Sequence, residues 1–180
     1  MASNQPTMQR HPGGWTVATN AHVSGDVKIG ENVSIWFGVS VRGDVAAVTI
    51  GPGTNVQDNA VIHCDAGVPN DIGRDVTIGH SAVVHGRRVG DGSLIGMGAT
   101  LLGGSEIGER CLVAAGAVVP PNMKVPDGTL VAGVPAKAIR EVSDRDLEYM
   151  RKLPPHYVRL AGEHADGRYE PGGRPLEEST

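Results

Sequence analysis

Aliphatic residues recur along this chain at every sixth position. Val17, Val23, Ile29, Ile35 and Val41 form one run, Ile50, Val56 and Ile62 a second, and Ile72, Ile78 and Val84 a third. The longest run goes from Val89 through Ile95, Leu101, Ile107, Val113, Val119 and Val125 to Val131. A small residue usually stands two positions earlier (Thr54, Ala60, Ala82, Ser93, Ala99, Ser105, Cys111, Ala117, Thr129), and glycine often follows directly. A period of six is neither the 3.6 of a helix nor the 2 of a plain strand. It predicts short faces that each point one aliphatic and one small residue inward, three hexapeptides closing one triangular coil of a left-handed parallel β-helix. Cys111 fills one of the small inward slots.

The pattern places this β-helix, with its site, over residues 14–135, after a flexible N-terminus at 1–13. A C-terminal helical segment packed on the prism follows at 136–164, then a flexible tail at 165–180. Ser143 with Asp146 has the spacing of a capping box, and Leu147, Met150 and Leu153 follow at helical spacing. Pro154-Pro155 is expected to interrupt that helix, leaving Tyr157, Leu160 and Ala161 for a second short segment.

Composition fits a narrow prism. Of 180 residues, 26 are glycine and only 3% are aromatic, against a usual glycine share of ~7%. Corners take glycine, and a core built of Val, Ile and Leu has no room for rings. A net charge of −4 leaves no basic footprint for nucleic acid or an anionic membrane. Two cysteines make no disulfide framework. The first residues, MASNQPTMQRHPGG, lack the apolar core of a signal peptide, and no run approaches a membrane span, so a cytoplasmic location is expected.

The six-residue register slips three times: three residues are gained between Val41 and Ile50, four between Ile62 and Ile72, and one is lost between Val84 and Val89. Adding the four-residue gain to one coil stacks Ile62 under Val84. Their successors His63 and His85 then become outward neighbours at about 4.8 Å. The same counting puts Arg42 beneath His63 and Asp58 beneath His80. His80 belongs to the neighbouring face, around a corner, so within one chain it should point elsewhere. The natural completion is His80 from an adjacent subunit, three prisms in a C3 homotrimer generating three identical sites. Three imidazoles with an open position form the ligand set of a catalytic zinc.

Several runs then resemble the γ-class carbonic anhydrase family over roughly residues 13–162. They are Ser34–Asp44 with Arg42-Gly43-Asp44, Asn55-Val56-Gln57-Asp58, Ile62-His63, Ile78–Gly86 with His80 and His85, and Ile95–Ala99. The resemblance implies reversible hydration of CO2 to bicarbonate by a metal-bound hydroxide, with Zn2+ (or Fe2+ or Co2+) held at the trimer interface by His63, His80 and His85. It makes Gln57 a partner of that hydroxide, Asn55 a residue positioning CO2, Arg42, Asp44 and Asp58 an intersubunit salt-bridge set, and Tyr157 a helix tyrosine near the site. Two features depart from the archetype. Val45 stands where a proton-relay glutamate follows Arg-Gly-Asp, and the loop Cys64–Asp71 is short, with Asp65 and Asp71 as its acids. Two rival readings stand beside this one, the first because acyltransferases share hexapeptide repeats and the second because the relay glutamate is missing. One is a hexapeptide acyltransferase; the other is a metal-binding member with little or no anhydrase activity, thioesterase-like or serving assembly.

Overall fold

The computed structural model describes residues 5–169 and 172. Short parallel strands stack in three columns, one per face of a triangular prism. The first face is a nine-stranded sheet that includes Ser34–Ile35, Asn55–Val56, Thr77–Ile78, Leu94–Ile95 and Leu112–Val113. The second stacks Val61–Ile62, Val83–Val84, Thr100–Leu101 and Val118–Val119, and the third stacks Asn70–Ile72, Arg88–Val89, Glu106–Ile107 and Lys124–Val125. The long strand Ser40–Ile50 runs from the second face onto the third and joins them into one ten-stranded sheet. The hexapeptide β-helix is therefore as expected.

Its registers follow the counted slips. Ile62 pairs with Val84 and Val41 with Ile62, so the outward residues that follow are stacked as well. The inward aliphatics are sealed: Ile35, Ile62, Ile78, Val84, Ile95 and Leu101 are all 0% exposed. Each coil touches only the coils above and below it, so one continuous column of aliphatic contacts carries the stability.

Elements at both ends differ from the sequence expectation. Met8–Arg10, inside the stretch expected to be loose, is a strand antiparallel to Thr16–Ala18, and Arg10 pairs with Asp166 at 2.8 Å. Ala136–Glu141, inside the expected helical segment, turns back as a strand antiparallel to Thr129–Gly133, because the last coil otherwise ends on an open edge. The expected interruption at Pro154-Pro155 is absent. A single helix, α1 (Asp144–Ala165), runs through both prolines. Their rings give up two backbone donors, but Met150, Pro154 and Ala161 are buried, and α1 lies along the first face, so packing outweighs the lost hydrogen bonds. The tail expected at 165–180 begins with Ala165 still helical, and most of it lies outside the described residues.

Ser143 caps α1 as expected: its Oγ accepts from the Asp146 N–H while the Asp146 carboxylate accepts from the Ser143 N–H. Arg140 at 2.6 Å, helped by Ser143, holds the Asp146 carboxyl far below its ordinary value. A depressed carboxylate stabilises the fold above the unfolded-state range near pH 4 and loses that contribution as pH falls below it. Ser143→Ala is expected to cost about 1 kcal/mol. Thermal unfolding followed at 222 nm checks this, with the gap between wild type and variant narrowing progressively below about pH 4, where the unfolded chain takes up a proton that the folded Asp146 carboxylate still refuses.

Candidate metal centre

The candidate side chains gather at two corners of the prism. His63 and His85 stand at the corner between the second and third faces, directly after Ile62 and Val84. Their ring centroids are 5.2 Å apart, as residues stacked at one strand spacing must be. Asp44 Oδ1 lies 2.8 Å from His63 Nε2, and Arg42 Nη1 lies 3.1 Å from Asp44 Oδ2. The His63 hydrogen bond, with Arg42 behind it, holds the Asp44 carboxyl below its ordinary value. Arg42 and Asp44 can flank a residue with no side chain because a Cβ on Gly43 would collide with the Asp26 carbonyl on the adjacent strand. Asp65 Oδ1 lies 3.0 Å from His85 Nε2, a partnership that sequence reasoning missed, since Asp65 sits in the inserted loop and follows no period.

His80 is elsewhere. It precedes Ser81, whose φ of 58° turns the chain at the corner between the first and second faces. Its Nδ1 lies 2.9 Å from Asp58 Oδ2 on the coil below, the stacking expected from the register. That contact leaves Nε2 as the nitrogen open to a ligand, and a carboxylate behind an imidazole is how metal-binding histidines are commonly oriented. The second face lies between the two corners. Among the described residues of one chain, no group of three His, Cys, Asp or Glu side chains gathers to hold an ion.

Gln57, Asn55 and Tyr157 fall on the His80 side. Asn55 is 1% exposed, and its Nδ2 donates to Thr77 Oγ1 at 2.9 Å and towards the Val76 carbonyl at 3.5 Å. That orients Oδ1 to accept from Gln57 Nε2 at 3.0 Å. Gln57 and Tyr157 line one groove of about 310 Å3 between the first face and α1, together with Leu94, Met97, Tyr149 and Leu153. Burial, with Asp58 nearby, pushes the Tyr157 hydroxyl above its ordinary value. Trp36 packs edge-on against Tyr157 at 5.5 Å and serves as a packing residue. One corner therefore carries Arg42, Asp44, His63, Asp65 and His85, and the other carries Asn55, Gln57, Asp58, His80 and Tyr157. Beside His63, Cys64 is 1% exposed and donates to the Ala46 carbonyl, and burial pushes its thiol up and away from reactivity.

Comparison with known proteins agrees with the hexapeptide fold. A family model described as bacterial transferase hexapeptide (six repeats) matches residues 88–121, and one described as hexapeptide repeat of succinyl-transferase matches 69–102. Over 161 residues the chain is 44% identical to gamma carbonic anhydrase 1, mitochondrial, of Arabidopsis thaliana, covering 86% of this chain and 58% of that one. It is 42% identical over 145 residues to a probable carbonic anhydrase of Methanocaldococcus jannaschii, covering 81% of this chain and 91% of that one. The chain belongs to the γ-class carbonic anhydrase family. It spans less than two thirds of the Arabidopsis relatives, 56% of one and 58% of another. Among solved structures, this γ-class member superposes on a hexapeptide transferase family protein from Anaplasma phagocytophilum with TM-score 0.73 and 34% identity, covering 83% of this chain and 92% of that one. A putative acetyltransferase from Bacillus cereus follows at TM-score 0.66 and 33% identity.

Proposed function

We propose that this γ-class member is a homotrimeric metalloenzyme that hydrates CO2 reversibly, with each site assembled from the two different corners of neighbouring subunits. The observation that carries this reading is the division of the candidate residues into two half-sites on opposite edges of the second face. His63 and His85 of one chain meet His80 of the next, and a heterologous contact of this kind closes when three copies complete a ring. The donor set fits a divalent ion: three imidazoles, each with a carboxylate within 3.0 Å to orient it. Zinc is the reading for the ion, with iron and cobalt as alternatives. Bound there, such a metal supplies the Lewis acidity that lets water attack at neutral pH.

The chain's own residues do the rest. Gln57 donates one amide N–H to Asn55, which fixes the amide so that its carbonyl oxygen accepts a hydrogen bond from an O–H in the site and aims that oxygen's lone pair at CO2. Asn55 acts mainly as the strut that fixes Gln57, since its own oxygen and nitrogen are already engaged. Arg42 and Asp44 orient His63, and Asp58 orients His80. Tyr157 walls the apolar groove through which a small neutral substrate reaches Gln57.

Stopped-flow CO2 hydration on metal-replete protein tests the reading. Gln57→Leu should lower kcat by about 100-fold with metal content unchanged. Wild-type activity no greater than that of His80→Ala, with zinc or with iron loaded anaerobically, would overturn it. Likeness to a hexapeptide transferase family protein and a putative acetyltransferase supports acyl transfer as the rival, which requires no bound metal, so one tightly held ion per chain separates the two. Among the described residues no helix is long and apolar enough to cross a membrane. A cytoplasmic location belongs to the same proposal and is checked by cell fractionation, three relatives being named as mitochondrial proteins.

A further inference from the structure

Inward slots two residues before the core aliphatic are elsewhere filled mostly by alanine, serine, threonine or cysteine. Before Ile72 that slot holds Asn70, which is 0% exposed and stands opposite Val48 in the ladder. A carboxamide in a dry aliphatic core carries a desolvation cost, and here the cost is only partly offset, because Asn70 Oδ1 has no hydrogen-bond partner. A small or apolar side chain would avoid burying that unpaired oxygen, so the reason for an amide in this slot lies in what its N–H groups reach.

The other half of the amide shows what it does. Asn70 Nδ2 donates to the His63 carbonyl at 2.9 Å and to the Val84 carbonyl at 3.1 Å. These carbonyls lie on two stacked coils, one belonging to His63 and the other preceding His85. At the same corner one coil higher, the chain closes with a backbone turn, the Ser105 N–H donating to the Leu102 carbonyl. Below, the Cys64–Asp71 insertion removes that turn and takes the His63 carbonyl out of the regular pattern. The Asn70 side chain replaces the missing donor and reaches the next coil as well, tying together the two strand ends that carry the histidines.

We propose that Asn70 is a positioning residue for the His63–His85 pair: its amide fixes the spacing of the two imidazoles so that they present one pre-arranged bidentate face to a divalent cation. The proposal rests on the metal reading above, and it concerns a residue outside the ligand set. Removing a buried group that orients metal ligands typically lowers affinity by about 10- to 100-fold.

The test compares wild type, Asn70→Leu, which removes both donations at similar volume, and Asn70→Thr, which places in the slot a side chain already accommodated at Thr54 and Thr129. Ser105→Ala is the control, a buried inward slot whose hydroxyl is also unpartnered and bonds to neither the His63 nor the Val84 carbonyl. Two readouts are taken on the whole 180-residue chain: Co2+ affinity by competition with a chromophoric chelator, together with the visible spectrum of the bound ion, and the imidazole 15N shifts of metal-free protein at one fixed pH. Asn70→Leu should bind Co2+ about 10- to 100-fold more weakly with an altered visible spectrum, Asn70→Thr should fall between it and wild type, and Ser105→Ala should match wild type. In metal-free protein only the His63 and His85 shifts should move. Wild-type affinity and spectrum in both Asn70 variants would overturn the proposal, as would an equal loss in Ser105→Ala. If wild type itself bound no Co2+, the metal reading would fall, and the metal-free shifts would still decide the clamp: unmoved His63 and His85 signals in Asn70→Leu would overturn it.

Discussion

Replacing His80 by alanine is expected to abolish metal retention and CO2 hydration although this residue lies a full face away from His63 and His85 in its own chain. The expected loss is about 1,000-fold or more in kcat/KM, with metal content after chelator dialysis falling below about one tenth of wild type. His63→Ala should give the same outcome. Neither change should disturb the prism, because all three imidazoles are outside the aliphatic column and 18% to 40% exposed. Metal analysis beside circular dichroism separates loss of the ion from loss of the fold.

The second large effect falls on stability. Ile78 is 0% exposed, sits between Val56 and Ile95 in the first-face column, and immediately precedes the Gly79-His80 corner. Ile78→Ala should cost about 2–5 kcal/mol, because the coils above and below are held by their own ladders and cannot collapse into the cavity. For a chain of this size that corresponds to a fall in Tm of about 5–20 °C, measurable by calorimetry. Truncating Val125 near the C-terminal end of the column, where exposure reaches 3% and one neighbour is missing, should cost less.

The core of the fold was legible because a solenoid writes its geometry in one dimension. A fixed period sets which side chains face inward, and each slip in that period moves the stacking by a known number of residues. That is why the His63–His85 column, Arg42 beneath it and Asp58 beneath His80 could all be placed by counting. What was not legible lies where periodicity ends. Asp65 comes from the insertion that causes a slip, so nothing in the spacing points it at His85. Asn70 occupies a slot normally filled by small residues, and only its two hydrogen bonds reveal its role. The strand Ala136–Glu141 and the unbroken helix through Pro154-Pro155 are decided by tertiary packing, on an open sheet edge in one case and along the first face in the other, and this outweighs local propensity.

Sharing between subunits is the claim on which the rest depends, and mixing two inactive variants tests it most directly. His63→Ala retains an intact His80, and His80→Ala retains an intact His63–His85 pair. Co-expressed in equal amounts with different tags, they should form trimers in which some interfaces join the intact pair of one subunit to the intact His80 of its neighbour. Random association makes about one quarter of all interfaces complete. The expected result is recovery of about one quarter of wild-type metal content and hydration activity, against none for either variant alone. Mixed trimers, recovered through both tags, that show no metal and no activity would contradict a site built from two chains.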